Sequence, residues 1–337
     1  MRASERSAPW YLPAARAARA ATAVLAACLA AGSAAAQPAT EVLYLLPAPT
    51  EQVAFAPWML AQYRGYYAKE GLKVTFQPGR GGVEVAKQLG AGNGVIGGAF
   101  GDTPIIARAN GVPVKAVAVL GGRSMTQLAA LESSGITSPK DLKGKTITAM
   151  SYADSGYFTL LGLLASAGLT KNDVNAQAAG PAGVWQLVAS GKADAMAAVP
   201  EWVAEVRDTG AKVRIMPAFV YTKSMAQAIL ASDEIIRKNP ELVHKLVRAT
   251  LQGMRDIMTD PKAAVRDYVA AMPSYKGREA FVEETLQLYN TYVYPGQRVL
   301  GEMDPERLAA LQKFYVSQGI VGRETPLRDL YSNDFVH

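Results

Sequence analysis

The chain has 337 residues, 50% of them hydrophobic and 19% charged, with a formal net charge of +6. That composition excludes a disordered or low-complexity protein and is long enough for two domains around a sizeable core. One cysteine, Cys28, and two distant histidines, His244 and His337, argue against a zinc site and against a Ser-His or Cys-His nucleophile system.

The first 36 residues read as an export signal. Arg2, Arg6, Arg16 and Arg19 make a basic start, Ala20–Ala31 a short apolar run, and Ala34-Ala35-Ala36 a small-residue cleavage site before Gln37. The run is too short to span a bilayer. A competing lipoprotein-like site is Leu25-Ala26-Ala27-Cys28, which would leave Cys28 lipidated. Removal of residues 1–36 takes away four Arg and one Glu, so the charge falls from +6 to +3. The basic balance therefore belongs mostly to export, and no nucleic-acid partner is expected. The mature chain is expected in the periplasm.

Beyond the signal, strand-like and helix-like runs alternate. Strands are expected at Val42–Leu46, Lys73–Gln77, Val95–Phe100 and Val114–Leu120, with helices at Phe55–Tyr67, Val83–Leu89 and Pro104–Asn110 between them. Leu128–Glu132 leaves this unit. A second series follows, with strands at Lys145–Met150, Val174–Ala179, Ala195–Val199 and Val213–Met216. Its helices are expected at Tyr157–Ala167, at Ala182–Ala189 and from Glu201. Ala226–Ala231 is a further strand, and helices over Pro240–Met258, Pro261–Ala271, Gly277–Leu288 and Pro305–Gln318 complete the chain. This alternation predicts parallel sheets flanked by helices, with ligands held by loops beyond the strand C-termini.

The stretch Ser151–Gly168 shows the device most clearly: a strand, a polar loop with Asp154 and Ser155, then an apolar helix. Free N–H groups and the positive dipole end at such a helix start can hold an anionic or polar molecule; the alternative is that Asp154 or Ser155 simply caps its own helix. Gly92–Gly97 spells G-x-G-x-x-G, but it enters a strand instead of following one, so it reads as a turn and not a dinucleotide site. Lys145 and Thr146 follow Gly144, but Pro139 stands where a phosphate-binding loop requires its first Gly.

Several blocks, in order, resemble the periplasmic substrate-binding proteins of the nitrate, alkanesulfonate, taurine and thiamine-precursor group of ABC importers. They are Arg64–Val74 (RGYYAKEGLKV), Asn110–Val114 (NGVPV), Ser138–Lys145 (SPKDLKGK), Ala167-Gly168-Leu169 and Ala189–Ala195 (ASGKADA). The resemblance implies an α/β, two-lobed periplasmic-binding-protein fold of type II, each lobe a mainly parallel sheet flanked by helices. Residues 41–125 would form the first part of lobe 1, residues 126–222 lobe 2, and residues 223–337 the return to lobe 1 with the C-terminal helices. It implies a monomer, without cofactor or metal, that closes on a small organic ligand, anionic or heteroaromatic. The ligand would pass to an inner-membrane permease with its ATPase. Two alternatives stay open: a ligand-sensing domain of a membrane receptor, and an enzyme like the pyrimidine synthase similar to this family. That enzyme relies on a Cys-rich motif and an active-site His with iron, which find no match in position here.

Carried over, the ligand loops fall on Thr50, Gln52, Phe55 and Trp58; on Gly79, Arg80, Gly81 and Gly82; and on Gly101, Asp102 and Thr103. In the second lobe they fall on Ser151, Asp154, Ser155, Gly156 and Tyr157, on Pro181, Gly183 and Trp185, and on Glu201 and Trp202. Arg80 with the Gly81 and Gly82 N–H groups suits a sulfonate, carboxylate or phosphate, and Phe55, Tyr157, Trp185 and Trp202 suit a planar ring. The bland readings are a core role for Trp58 and Trp185, a solvated Arg80, and Glu201 as a first-turn acid of its own helix. Asp154, where several anion binders carry a Ser/Thr pair, argues against a plain sulfonate or nitrate.

Overall fold

The computed structural model describes residues 38–337, and among these ten strands organise the fold. The export segment and Cys28 lie outside the described residues. The strands are β1 (Thr40–Leu46), β2 (Leu72–Pro78), β3 (Ile96–Phe100), β4 (Val114–Val119), β5 (Gln127–Leu131), β6 (Thr146–Ala149), β7 (Asn175–Ala178), β8 (Ala195–Ala198), β9 (Val213–Met216) and β10 (Gln227–Ser232). They pair into two five-stranded sheets, ordered β2-β1-β3-β10-β4 and β7-β6-β8-β5-β9.

Strands joined through helices run parallel, as in β1 with β2 and β3, and β6 with β7 and β8. The sheets are nevertheless mixed. β5 pairs antiparallel with β8 and β9, and β10 pairs antiparallel with β3 and β4. Each is the first strand after the chain passes from one sheet to the other, so no helical crossover sets its direction. β10 wedges between β3 and β4, and all six of its residues are buried. An apolar run with no polar alternation suits that central position.

Two segments, residues 120–126 and 217–226, carry the chain between the sheets. They run side by side: the Met225 carbonyl accepts from Met125 N–H at 3.0 Å, and the Ser124 and Ser224 hydroxyls lie 2.6 Å apart. The half-buried Arg307 guanidinium donates to the carbonyls of Gly122, Lys223 and Ser224, and so ties both segments to the helix Pro305–Ser317.

The helix expected over Phe55–Tyr67 is divided. A 3₁₀ turn, Val53–Phe55, leads into an α-helix Ala56–Tyr63, and Gly65 at φ 71° breaks it before Tyr66–Lys69. Glycine adopts that left-handed conformation without a Cβ penalty. The long helix Pro240–Thr259 crosses Ala56–Tyr63 at close range; a Cβ on Gly253 would stand 2.1 Å from the Pro57 carbonyl oxygen. Arg64 pins the same corner, pairing with Asp256 at 2.5 Å and Asp267 at 2.6 Å. Trp58 takes the core reading: it is fully buried against Tyr44 and Phe55.

Candidate functional site

Loops from both sheets converge on one open cavity of about 330 Å³. From the first-sheet side come Gln52, Ala54 and Phe55 after β1, Arg80 to Val83 after β2, and Phe100 and Thr103 at the end of β3. From the second-sheet side come Met150, Ser151 and Asp154 to Gly156 after β6, and Val199 and Trp202 after β8. The connecting segments contribute Met125 and Thr126, with Gln227 at the head of β10. Parallel strands end in such crevices, where loops can vary without disturbing the sheets. Helices flank the floor, so the wall is mostly apolar, with a few polar groups placed among aromatic and Met side chains.

Several helix N-termini reach this cavity, and two of them, at Ser155 and at Gly82, differ in how they are capped. The helix Ser155–Ser166 is capped by Asp154, whose carboxylate accepts from Gly156 N–H at 2.5 Å, Tyr157 N–H at 3.0 Å and Ser151 N–H at 2.9 Å. The capping alternative is therefore what the fold adopts, and the N–H groups that would hold an anion are already engaged. Burial pushes the Asp154 carboxyl up from its ordinary value, although these N–H groups oppose the shift. The helix Gly82–Gly90 has no side-chain cap. Its first residue stands in the cavity wall, and Gly82 has no room for a side chain, since a Cβ would meet Ala99 Cβ at 2.7 Å. Gly81 N–H is engaged by the Pro47 carbonyl at 2.7 Å, so it is not free as expected. Arg80 stands exposed at the mouth and makes no ion pair among the described residues. The cationic corner of the cavity is thus on the first-sheet side.

Of the predicted residues, Gln52, Phe55, Arg80, Gly81, Gly82, Thr103, Asp154, Ser155, Gly156 and Trp202 line the cavity together. Asp102, Tyr157 and Glu201 do not. Asp102 is buried behind the wall, where one oxygen accepts from the Tyr315 hydroxyl and the other has no partner; burial pushes its carboxyl up. Tyr157 is buried and packs edge-on against Tyr152 at 5.2 Å. Glu201 turns away from the cavity, toward the N–H groups of Val53 and Ala54 and the Tyr275 hydroxyl at 3.3 Å. Trp58 and Trp185 are likewise outside the wall. Sequence reading missed Phe100, Met125, Thr126, Met150, Val199 and Gln227. For Gln227 a signal was present: an amide in an otherwise apolar strand run. It accounts for the break in pattern by reaching the cavity.

The family model described as NMT1/THI5 like matches residues 52–264. The riboflavin-binding protein RibY of Chloroflexus aurantiacus is 26% identical over 310 residues, covering 89% of this chain and 88% of the relative. The 4-amino-5-hydroxymethyl-2-methylpyrimidine phosphate synthase of Aspergillus parasiticus is 30% identical over 232 residues, covering 65% of this chain and 67% of the relative. In fold, the chain is similar to the alkanesulfonate-binding protein SsuA of Xanthomonas axonopodis bound to MOPS, with a TM-score of 0.68 at 21% identity, covering 88% of this chain and 99% of that one.

Proposed function

This chain belongs to the NMT1/THI5-like family, and from that premise we propose that it is an extracytoplasmic solute-binding protein that closes two lobes on a small heteroaromatic ligand. The lobes are the two sheet-bearing halves, and the paired segments at residues 120–126 and 217–226 are the hinge. The captured ligand passes to an ABC-importer permease. The observation that carries the ligand class is the asymmetry of the two helix starts. Asp154 closes the N-terminus of Ser155–Ser166 to anions, so this helix start does not pair with the uncapped one at Gly82 to clamp a bare sulfonate. Phe55, Phe100 and Trp202 suit a flat ring. Arg80 and the uncapped helix Gly82–Gly90 suit one acidic or polar group at the ring's edge. Riboflavin, bound by one relative, and pyrimidines, handled by others, share the planar ring; the alkanesulfonates of the fold neighbours do not.

A thermal-shift panel of riboflavin, pyrimidines, alkanesulfonates and nitrate tests this. A ring ligand at about 100 times its Kd stabilises the fold by roughly 2.7 kcal/mol. A shift confined to alkanesulfonates or nitrate contradicts the reading. The identity to the synthases supports one competing reading, turnover. It is separated from binding by recovering the ligand unchanged after incubation; among the described residues no histidine or cysteine lines the cavity.

A further inference from the structure

Glu201 is a carboxyl from the second-sheet side buried in the first. It begins the helix Pro200–Asp208, is 7% exposed, and reaches the 3₁₀ turn Val53–Phe55, two residues of which, Ala54 and Phe55, form cavity wall. Its neighbour Trp202 lines the same cavity. Around it, the helix Pro200–Asp208 is fastened to the C-terminal helix Glu279–Tyr292 and its leading residue. Arg207 pairs with Glu284 at 2.9 Å, and Arg278 with Asp208 at 3.0 Å and Glu205 at 3.4 Å. These pairs are part-exposed and individually weak. Glu201 lies at the dry inner end of the row, so opening the halves must carry it from protein to water.

We propose that Glu201 is a proton-operated latch: closing the halves over the cavity places a proton on this carboxyl, and opening them returns it. The proposal rests on the lobe closure proposed above. Burying an ionised carboxylate is costly, and the groups facing it do not neutralise it. The turn Val53–Phe55 offers two N–H donors and no charge. Tyr275, Tyr268 and Tyr289 come from the C-terminal segments, Glu205 from its own helix adds like charge, and Arg278 is engaged by Glu205 and Asp208. Strand β8 and the helix Gly180–Ala189 bring no titratable group, and the only one on β9, Arg214, donates to the Ile136 carbonyl. In this structure, which the proposal takes as the closed form, burial pushes Glu201 up to about 7, from an ordinary 4.5 when solvated. The proton is therefore bound more tightly when closed. Acidification below about pH 7 favours closure, by up to about tenfold in the closed-to-open ratio per pH unit down to about 4.5, and above about 7 the balance no longer responds to this group.

Small-angle scattering of the full chain, without ligand, from pH 5.5 to 8.5 reads this directly. The radius of gyration should rise with pH between 5.5 and about 7 and level off above it. Glu201→Gln, neutral at every pH, should stay compact throughout, and Tyr275→Phe, which removes a donor to the ionised form, should move the midpoint upward. Circular dichroism confirms that both variants fold. The Tyr275→Phe shift keeps the test decisive even where Glu201→Gln does not fold. A wild-type chain that riboflavin compacts equally at every pH closes without a proton latch, as does one whose pH response survives in Glu201→Gln; either overturns the proposal. A chain that changes with neither pH nor ligand overturns the closure as well.

Discussion

Asp154 occupies the start of the helix Ser155–Ser166 on the second-sheet side of the cavity. A carboxylate with three N–H donors leaves no vacancy for a ligand's anion. Asp154→Gly should therefore create anion affinity. Glycine is a tolerable N-cap, costing only a few tenths of a kcal/mol relative to the capping residues, and it frees the N–H groups of Gly156 and Tyr157 beside the cavity. The expected outcome is a saturable thermal shift with methanesulfonate in the variant and none in the wild type; equal responses would show that the cap is not what excludes the anion. Sequence offered both readings of this residue, capping and ligand binding, because the two use the same side chain at the same position. Only the orientation of the carboxylate separates them. Glu201 poses the reverse case. Its place at the first turn of a helix was legible, but its contacts lie about 150 positions earlier and 74 later in the chain, at Val53 and Ala54 and at Tyr275, and no local pattern reaches that far.

At the scale of elements, close approach of backbones explains a glycine that helix propensity alone disfavours. Gly253 lies in the middle of Pro240–Thr259, where alanine would gain about 1 kcal/mol in an isolated helix. Here an added methyl would meet the Pro57 carbonyl at 2.1 Å, and a backbone atom cannot swing aside as a side chain can. Overpacking of this kind costs about 1–3 kcal/mol or more, so Gly253→Ala should be net destabilising, seen as a lower denaturant midpoint with unchanged slope. A midpoint that rises would mean the two helices part at little cost. All ten strands were legible, because short apolar runs between turn residues survive any tertiary context. The division of Ala56–Tyr63 from Tyr66–Lys69 was not, since the apolar pattern continues across the left-handed Gly65.

The whole molecule depends on how the two sheets are joined. Alternation along the chain showed two β/α series but not that β10 returns to a central place between β3 and β4, because strand order is set by long-range pairing that composition does not encode. That return puts Gln227, Met125 and Thr126 at the cavity, so its inner wall is made by the same segments that join the halves. On the closure proposed above, ligand contact and hinge would share residues, and a ligand could shift the open–closed balance only as far as it touches the closed form better. On the proposed function, a ring ligand sits in this cavity with its polar edge at Arg80. Calorimetric titration of the full chain with riboflavin, beside Arg80→Ala and Trp202→Ala, measures this. Loss of a charge-assisted hydrogen bond, about 1.5–3 kcal/mol, predicts affinity roughly tenfold to a hundredfold weaker in Arg80→Ala, and Trp202→Ala should weaken binding as well. Undiminished affinity in both variants, or no heat with riboflavin and saturable binding of an alkanesulfonate instead, would contradict it.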